Sequence, residues 1–322
     1  MAGSLVFGGA GFIGTHLLRD LAARGIAPLA SADIAGPREP VAGVDYLYAD
    51  VRQPIDFDGS PYDTIYNLAG LVATPGHPDG EYYRTNVTGA VTVTDFADHH
   101  AIRTIVFTST MSIYPTGDGL KTEQSPLEPL NAYGASKALG ERIHGRWQAG
   151  HAENRLVIAR PAVIFGPGER ANFQRLHLLI RRGMFVYPGR KDTIKACGNV
   201  TDLVASFEFV LALPGGVHVY NFAYPDRCTI GDICDLVSAE LGKSAPRALL
   251  PLPVMRAGAL PFEALESVGL RSGISRTRIE KLVESTNIYP QFLLDQGFRF
   301  PTTLPEGIHQ WAQSLAADHT RR

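Results

Sequence analysis

Gly8-Gly9-Ala10-Gly11-Phe12-Ile13-Gly14 stands between a short apolar run, Ser4–Gly8, and a stretch with helical periodicity, Phe12–Arg24. The spacing gives three glycines three different jobs. Gly8 allows the tight turn, Gly11 lets backbone approach a pyrophosphate, and Gly14 lets the helix pack near the strand. The helix amino terminus then offers unpaired N–H groups and a partial positive charge to phosphates. A glycine-rich turn alone is a weak sign of dinucleotide binding. Here a strand precedes it and a helix follows it, which is the context the reading requires.

Outward from that turn, short apolar runs alternate with longer helical patterns as far as about Leu156. The candidate strands are Ser4–Gly8, Ala27–Ala32, Val44–Ala49, Thr64–Leu68, Thr104–Thr108 and Leu156–Arg160, with helices at Phe12–Arg24, Arg84–His99 and Asn131–Trp147. Strands separated by helices imply a parallel sheet covered on both faces, so the fold expected is α/β, a Rossmann-type doubly wound sheet. After Arg160 the pattern is less regular. Turns are marked by Gly166-Pro167-Gly168 and Pro188-Gly189, helices are expected at Asn172–Arg182 and Thr229–Leu241, and a strand at Val217–Phe222. A Pro-rich stretch from Pro246 to Pro261 precedes two short helices around Arg276–Glu284 and Pro305–Leu315. Residues 1–168 are expected to form the dinucleotide-binding domain, with later segments returning to it. Residues 169–322 are expected to form mainly a smaller, mixed substrate-binding lobe over the sheet's carboxyl edge.

Composition narrows the function classes. A formal net charge of −2 gives no long-range pull toward nucleic acid or an anionic membrane, so neither is an expected partner. No apolar run reaches the length of a membrane-crossing helix, and Met1 leads straight into Ser4-Leu5-Val6-Phe7 with no secretory pattern. Cys197, Cys228 and Cys234 form no C-x-x-C pair and read as free thiols in a reducing compartment, so no metal is expected and the cytoplasm is the expected location.

Asp33 follows the second candidate strand, nineteen residues after Gly14, where a carboxylate accepts hydrogen bonds from the adenosine ribose hydroxyls. A carboxylate there repels a 2′-phosphate, so NAD is expected over NADP, with Arg38 near enough to oppose that preference. Asp50-Val51, after the third strand, are placed to receive an adenine amino group and cover its ring. Further along, Tyr133-Gly134-Ala135-Ser136-Lys137 puts a phenol and an ammonium four residues apart, on one helical face. A free phenol has a pKa of about 10, too high for a base near neutrality. A nearby lysine and a nicotinamide positive charge favour the phenolate. Such a phenol takes the proton of a substrate hydroxyl as hydride leaves the same carbon, and returns it in the reverse step. One βα unit earlier, Thr108-Ser109-Thr110-Met111-Ser112 ends a strand with hydroxyls, at the edge where open α/β sheets bind ligands.

Taken together, Gly8–Gly14, Asp33, Asp50, Asn67-Leu68-Ala69-Gly70, Tyr82-Tyr83-Arg84-Thr85-Asn86-Val87, Thr110, Tyr133, Lys137 and Arg160-Pro161-Ala162-Val163-Ile164-Phe165-Gly166 resemble the extended short-chain dehydrogenase/reductase superfamily. Within it the chain is similar to the NAD-dependent nucleotide-sugar epimerase/dehydratase family, of which UDP-glucose 4-epimerase is a member. The motifs are dense up to Gly168 and sparse beyond. The resemblance implies a catalytic Thr110, with Tyr133 as acid and base and Lys137 binding the nicotinamide ribose. It also implies that Phe12 and Ile13 supply backbone around the pyrophosphate. Leu68, Ala69 and Gly70 would line the cofactor, Asn86 would support the site, and Pro161 and Val163 would lie near the nicotinamide. Asn172, Phe173 and Lys195 fall where the family holds the substrate's nucleotide and diphosphate, with a helix cap as the competing role for Asn172.

Departures narrow the activity. Family dehydratases carry an Asp-Glu pair after the catalytic threonine, whereas this chain has Met111 and Ser112, which excludes 4,6-dehydration. Asn67 stands where histidine is usual, Val72 where the 4-epimerase relative has lysine, and Pro115 where glycine is usual. In the variable lobe Arg175, His177, Arg190, Lys191 and Arg276 are cations that suit a diphosphate or simply face solvent. The expectation is therefore a nucleoside-diphosphate-sugar epimerase, most plausibly at C4, working through a Thr-Tyr-Lys triad. A reductase of a 4-keto nucleotide sugar stays open, as do a hydroxysteroid-type dehydrogenase and a non-catalytic NAD(H)-sensing protein. The resemblance also implies a homodimer formed by the helices carrying Asn86–His99 and Asn131–Trp147.

Overall fold

Leu5 and Phe7 pack into one buried cluster and Val6 into another, and all three are sealed from solvent. The same division recurs in Ile105 and Phe107 against Val106, and in Leu156 and Ile158 against Val157 and Ala159. Side chains of a strand alternate between faces, so an unbroken apolar run means a sheet with a hydrophobic core on each side. The computed structural model, which describes residues 3–72, 76–258, 280 and 282–320, has this arrangement.

Seven strands form the sheet: β1 (Ser4–Phe7), β2 (Leu29–Asp33), β3 (Asp45–Tyr48), β4 (Thr64–Asn67), β5 (Thr104–Thr108), β6 (Arg155–Pro161) and β7 (Val217–Phe222). Their order is β7-β6-β5-β4-β1-β2-β3, and every neighbouring pair is parallel. Helix α1 (Phe12–Ala23) lies on one face. Helices α2 (Thr88–His99) and α3 (Ala132–Gly150) cover the other. Helix α4 (Asn172–Arg181) belongs to the lobe, and α5 (Val200–Ala212) returns to pack Leu203, Val204 and Phe207 beside α1. Helices α6 (Ile230–Glu240) and α7 (Leu304–Thr320) complete the lobe, whose own core gathers Phe165, Phe173, Ile233 and Trp311.

Strand order reverses between β1 and β4, and open α/β sheets bind ligands in the crevice at that point. The glycine turn leaves β1 there and the Leu68–Gly70 segment leaves β4 beside it. Three two-stranded pairs knit the lobe: Val163–Phe165 with Cys197–Asn199, Tyr187–Pro188 with Leu249–Leu250, and Gly117–Lys121 with Thr286–Ile288.

Several elements differ from the sequence expectation, among them α5 and the short helix Gln291–Asp295, neither of which that expectation includes. The helix expected over Arg84–His99 begins as a π-helical turn, Tyr83–Val87, before α2. Gly117–Lys121 is a strand without apolar alternation, paired through backbone groups and through the Asn287 amide, which donates to the Asp118 carbonyl at 2.8 Å. Most of the Arg276–Glu284 helix, and Arg276 itself, lies outside the described residues.

Candidate active site

The glycine turn is built as the spacing requires, with one reassignment. Gly8 has φ 80°, and a Cβ there would lie 2.7 Å from the Ala69 nitrogen, so this residue brings the β1 and β4 ends together. A Cβ on Gly14 would lie 2.4 Å from the Gly8 carbonyl oxygen, so Gly14 lets α1 pack against its own turn as well as the strand. Gly11 is exposed at the mouth, with Phe12 and Ile13 half-buried behind it at the helix start. That cradle, open at an unoccluded helix amino terminus, fits a dinucleotide pyrophosphate.

Asp33 is half-buried at the end of β2, and its carboxylate accepts hydrogen bonds from the Ala10 N–H at 3.1 Å and the Ala35 N–H at 3.0 Å. The residue singled out for a ribose therefore also ties down the glycine turn. Asp50 forms a two-pronged ion pair with Arg52, at 2.8 and 2.7 Å, which holds its carboxyl below the usual range. Val51 is buried beside Gly89, where a Cβ would come within 2.8 Å of the valine methyl.

Asn86 is the pin of the site. Its side chain accepts from the Leu71 N–H at 2.8 Å, donates to the Leu71 carbonyl at 3.2 Å and donates to the Ser136 hydroxyl at 2.9 Å. The Leu68–Gly70 segment is thereby fixed against α3, and a Cβ on Gly70 would lie 3.7 Å from Lys137 Nζ. Asn86 occupies the π-helical turn, a distortion that recurs at functional sites.

Helix α3 delivers Tyr133 and Lys137. Asn131 caps its start by accepting from the Gly134 N–H at 2.9 Å. Gly134 sits so close to the chain after β5 that a Cβ would meet the Ser112 carbonyl oxygen at 2.1 Å. That close approach brings the Tyr133 phenol to the Thr110 hydroxyl, which pulls its pKa down while burial pushes it up more strongly. In the protein alone burial thus sets the direction, and the lowering expected from the lysine together with the nicotinamide charge depends on bound cofactor. Burial penalises both charged forms, and Lys137, 4% exposed, is itself lowered to about 7 despite the attraction of Glu141. Its ammonium lies 4.2 Å from the centre of the Phe107 ring. That ring stacks on His144 at 4.1 Å, and His144 in turn bonds the Asn67 amide at 3.2 Å.

Pro161 is buried at the end of β6 and Val163 half-buried in the short strand after it. Beneath them Arg160 makes a bidentate, buried pair with Glu141, at 3.0 and 2.7 Å, and donates to the Tyr114 hydroxyl at 2.7 Å. Sequence reasoning missed this network, as it missed His16. The His16 Nε2–H donates to the Pro167 carbonyl at 2.8 Å and fastens α1 to the turn opening the lobe.

The lobe residues are less uniform. Asn172 is exposed in the first turn of α4, and the competing role as cap does not hold: the cap position is Ala171. The buried Glu169 carboxylate accepts from the Ala171 N–H at 2.7 Å and the Gln174 N–H at 3.0 Å. The Phe173 ring is buried, stacked on Phe165 at 4.4 Å, and belongs to the lobe's core. Lys195 is half-buried, donates to the Glu284 carbonyl at 2.7 Å, and is lowered by burial to about 8. Arg190 pairs with Asp118 and Asp192, His177 packs on Trp311, and Lys191 lies over the Tyr187 ring. Arg175 is exposed on α4. Among the described residues no cluster of His, Cys, Asp and Glu could hold a metal ion, and no helix is long and apolar enough to cross a membrane.

Comparison with known proteins finds a matching family and a shared fold. The model of the NAD dependent epimerase/dehydratase family matches residues 4–222. An N-acetyl-α-D-glucosaminyl-diphospho-ditrans,octacis-undecaprenol 4-epimerase of Escherichia coli O157:H7 is 28% identical over 96% of this chain and 94% of its own length. Among solved structures, MoeE5 in complex with UDP-glucose and NAD superposes with a TM-score of 0.79 at 20% identity, over 98% of this chain and 99% of its own. The Thermus thermophilus UDP-glucose 4-epimerase in complex with NAD gives 0.75 at 20%, over 97% and 98%.

Proposed function

The chain belongs to the NAD dependent epimerase/dehydratase family, and from that premise we propose that it inverts C4 of a nucleoside-diphosphate sugar. One observation carries the reading: the Thr110 hydroxyl and Tyr133 phenol lie together beside Lys137 at the sheet's carboxyl edge, next to the glycine turn. Bound NAD supplies a reversible electron sink for the C4–H bond. Thr110 orients the C4 hydroxyl, and Tyr133 takes its proton at the phenolic oxygen and later gives it back. Burial alone keeps the phenol protonated, so its activation waits on positive charge entering the pocket beside Lys137.

The remaining roles follow position. Gly8, Gly11, Gly14, Phe12 and Ile13 cradle the pyrophosphate, and Asp33 receives the ribose, with Asp50 and Val51 at the adenine. Leu68, Ala69 and Gly70, pinned by Asn86, line the cofactor, with Pro161 and Val163 at the nicotinamide. Asn172, the Phe173 backbone and Lys195 hold the sugar diphosphate. Epimerisation needs no net reductant, so denaturing the purified protein should release stoichiometric NAD⁺. An empty protein that prefers NADPH would point to the 4-keto-sugar reductase instead. Tyr133→Phe should cut turnover by about a thousandfold while retaining the dinucleotide; unchanged turnover sinks the mechanism.

A second reading is favoured by the Escherichia coli relative, which aligns with this chain almost end to end. In it the sugar diphosphate is carried on a polyprenol rather than a nucleoside. Comparing kcat/KM for UDP-N-acetylglucosamine and its polyprenyl-diphosphate counterpart separates the two. The homodimer, through α2 and α3, is supported by the exposed Val91 on α2. Val91→Glu should then halve the mass seen in sedimentation equilibrium.

A further inference from the structure

Residues 172–191 and 242–258 contain eight Lys and Arg side chains and no Asp or Glu, in a chain whose net charge is −2. The average therefore hides a strongly basic region. Some of these cations are already engaged: Arg190 with Asp118 and Asp192, Arg256 with Glu280. Arg182, Lys243 and Arg247 are exposed. Between them stand exposed apolar side chains, Met184 at 59%, Val254 at 55%, Leu249 at 46% and Leu250 at 39%.

Backbone pairing makes one surface of these pieces. Leu249 and Leu250 pair with Tyr187 and Pro188, with the Tyr187 N–H donating to the Ala248 carbonyl and the Gly189 N–H to that of Leu250. The Met184 N–H donates to the Leu179 carbonyl at the end of α4, and Lys243 donates to the Arg181 carbonyl one turn away. Val254 begins the turn after Pro251, its N–H bonded to the Pro251 carbonyl. Exposed apolar side chains and cations that share two paired segments suit a bilayer interface, where side chains enter the headgroup layer and ammonium or guanidinium groups rest on lipid phosphates. A second copy of this chain is a poor occupant. A two-fold contact sets a patch against itself, which would bring these cations face to face.

We propose that this face docks on an anionic lipid bilayer, with Met184, Leu249, Leu250 and Val254 entering the headgroup region and Arg182, Lys243 and Arg247 contacting lipid phosphates. Helix α4 spans about 15 Å from the patch at its carboxyl end to Asn172 at its start. Docking would thus bring a membrane-borne sugar diphosphate within one short helix of the residues proposed to hold it. In that respect the inference rests on the polyprenol reading, while the docking itself does not depend on turnover.

Flotation of the full chain with vesicles is the test. The protein should float with mixed phosphatidylglycerol and phosphatidylcholine vesicles, stay behind with phosphatidylcholine alone, and be released by added salt. Leu249→Ser with Leu250→Ser, and separately Arg182→Gln with Arg247→Gln, should each lower the bound fraction about tenfold. Both should keep the parent circular dichroism spectrum and the parent turnover of soluble nucleotide sugar. No flotation, equal flotation with both vesicle types, or variants that bind like the parent would overturn the proposal. So would a leucine variant whose only change is a lower oligomeric mass, since a second copy would then cover the patch. Salt-sensitive flotation with no turnover of any sugar would leave docking standing and remove the epimerase reading.

Discussion

The sheet half of the molecule buries one ion pair beneath its candidate site, whereas the lobe leaves the pairs of Arg190 in solvent. Glu141 and Arg160 are each 7% exposed and locked two-pronged between α3 and β6, with Tyr114 and Asn221 completing the network. Arg190 meets Asp118 and Asp192 at the lobe surface, where the carboxylates are more than half exposed. The chemistry of the pairs is alike and their consequences are opposite. A buried pair fixes the helix that carries Tyr133 and Lys137, because either partner alone is intolerable there. A solvated pair constrains little, so the lobe is free to vary around the sugar.

The contrast is broken most forcefully at Arg160. Arg160→Ala strands the Glu141 carboxylate in the interior and should cost about 3–5 kcal/mol of stability in urea unfolding, with activity falling as α3 shifts. A loss below about 1 kcal/mol would mean that water reaches the pair and that the two halves are not built differently.

His144 sharpens the comparison next. It is sealed beneath the site, and burial, helped by Lys137, depresses its pKa to about 4. Because the folded value lies below the unfolded one near 6.5, the unfolded chain takes the proton first as acid is added. The stability it allows above about pH 6.5 is therefore lost as the pH falls toward about 4, by on the order of 3 kcal/mol. His144→Gln should flatten the stability profile over that window, and an unchanged slope would show that the acid sensitivity lies elsewhere. The smallest effect belongs to the lobe: Arg190→Ala should change stability by less than about 1 kcal/mol, and by nothing measurable in high salt.

Much of the sheet could be read from the sequence because its signals are local. Thr104–Thr108 and Val217–Phe222 are strands with the bounds expected, and the glycine turn sits where its spacing puts it. What escaped depends on partners far away in the chain. Nothing near Gly134 tells that the Ser112 carbonyl will press against it, and nothing near Arg160 announces Glu141, Tyr114 and Asn221. Phe173 shows the limit from the other side. Its position in the chain suggests a ligand, but its ring is directed by Phe165 and Trp311, which no local pattern reveals. The burial of the Tyr133 phenol escaped for a related reason, since sequence spacing reports proximity and not dielectric.

The hydrogen bond from the Ala10 N–H to the Asp33 carboxylate has a consequence for protein engineering. Changing a dinucleotide preference ordinarily begins by replacing the carboxylate after the second strand with a small neutral residue and adding an arginine. In this chain the same carboxylate is a guy-rope for the glycine turn, so that exchange would slacken the pyrophosphate cradle while it opened space for a 2′-phosphate. If Asp33 receives the ribose as proposed, selectivity and grip are one trait, and a successful redesign must leave an acceptor for Ala10 behind.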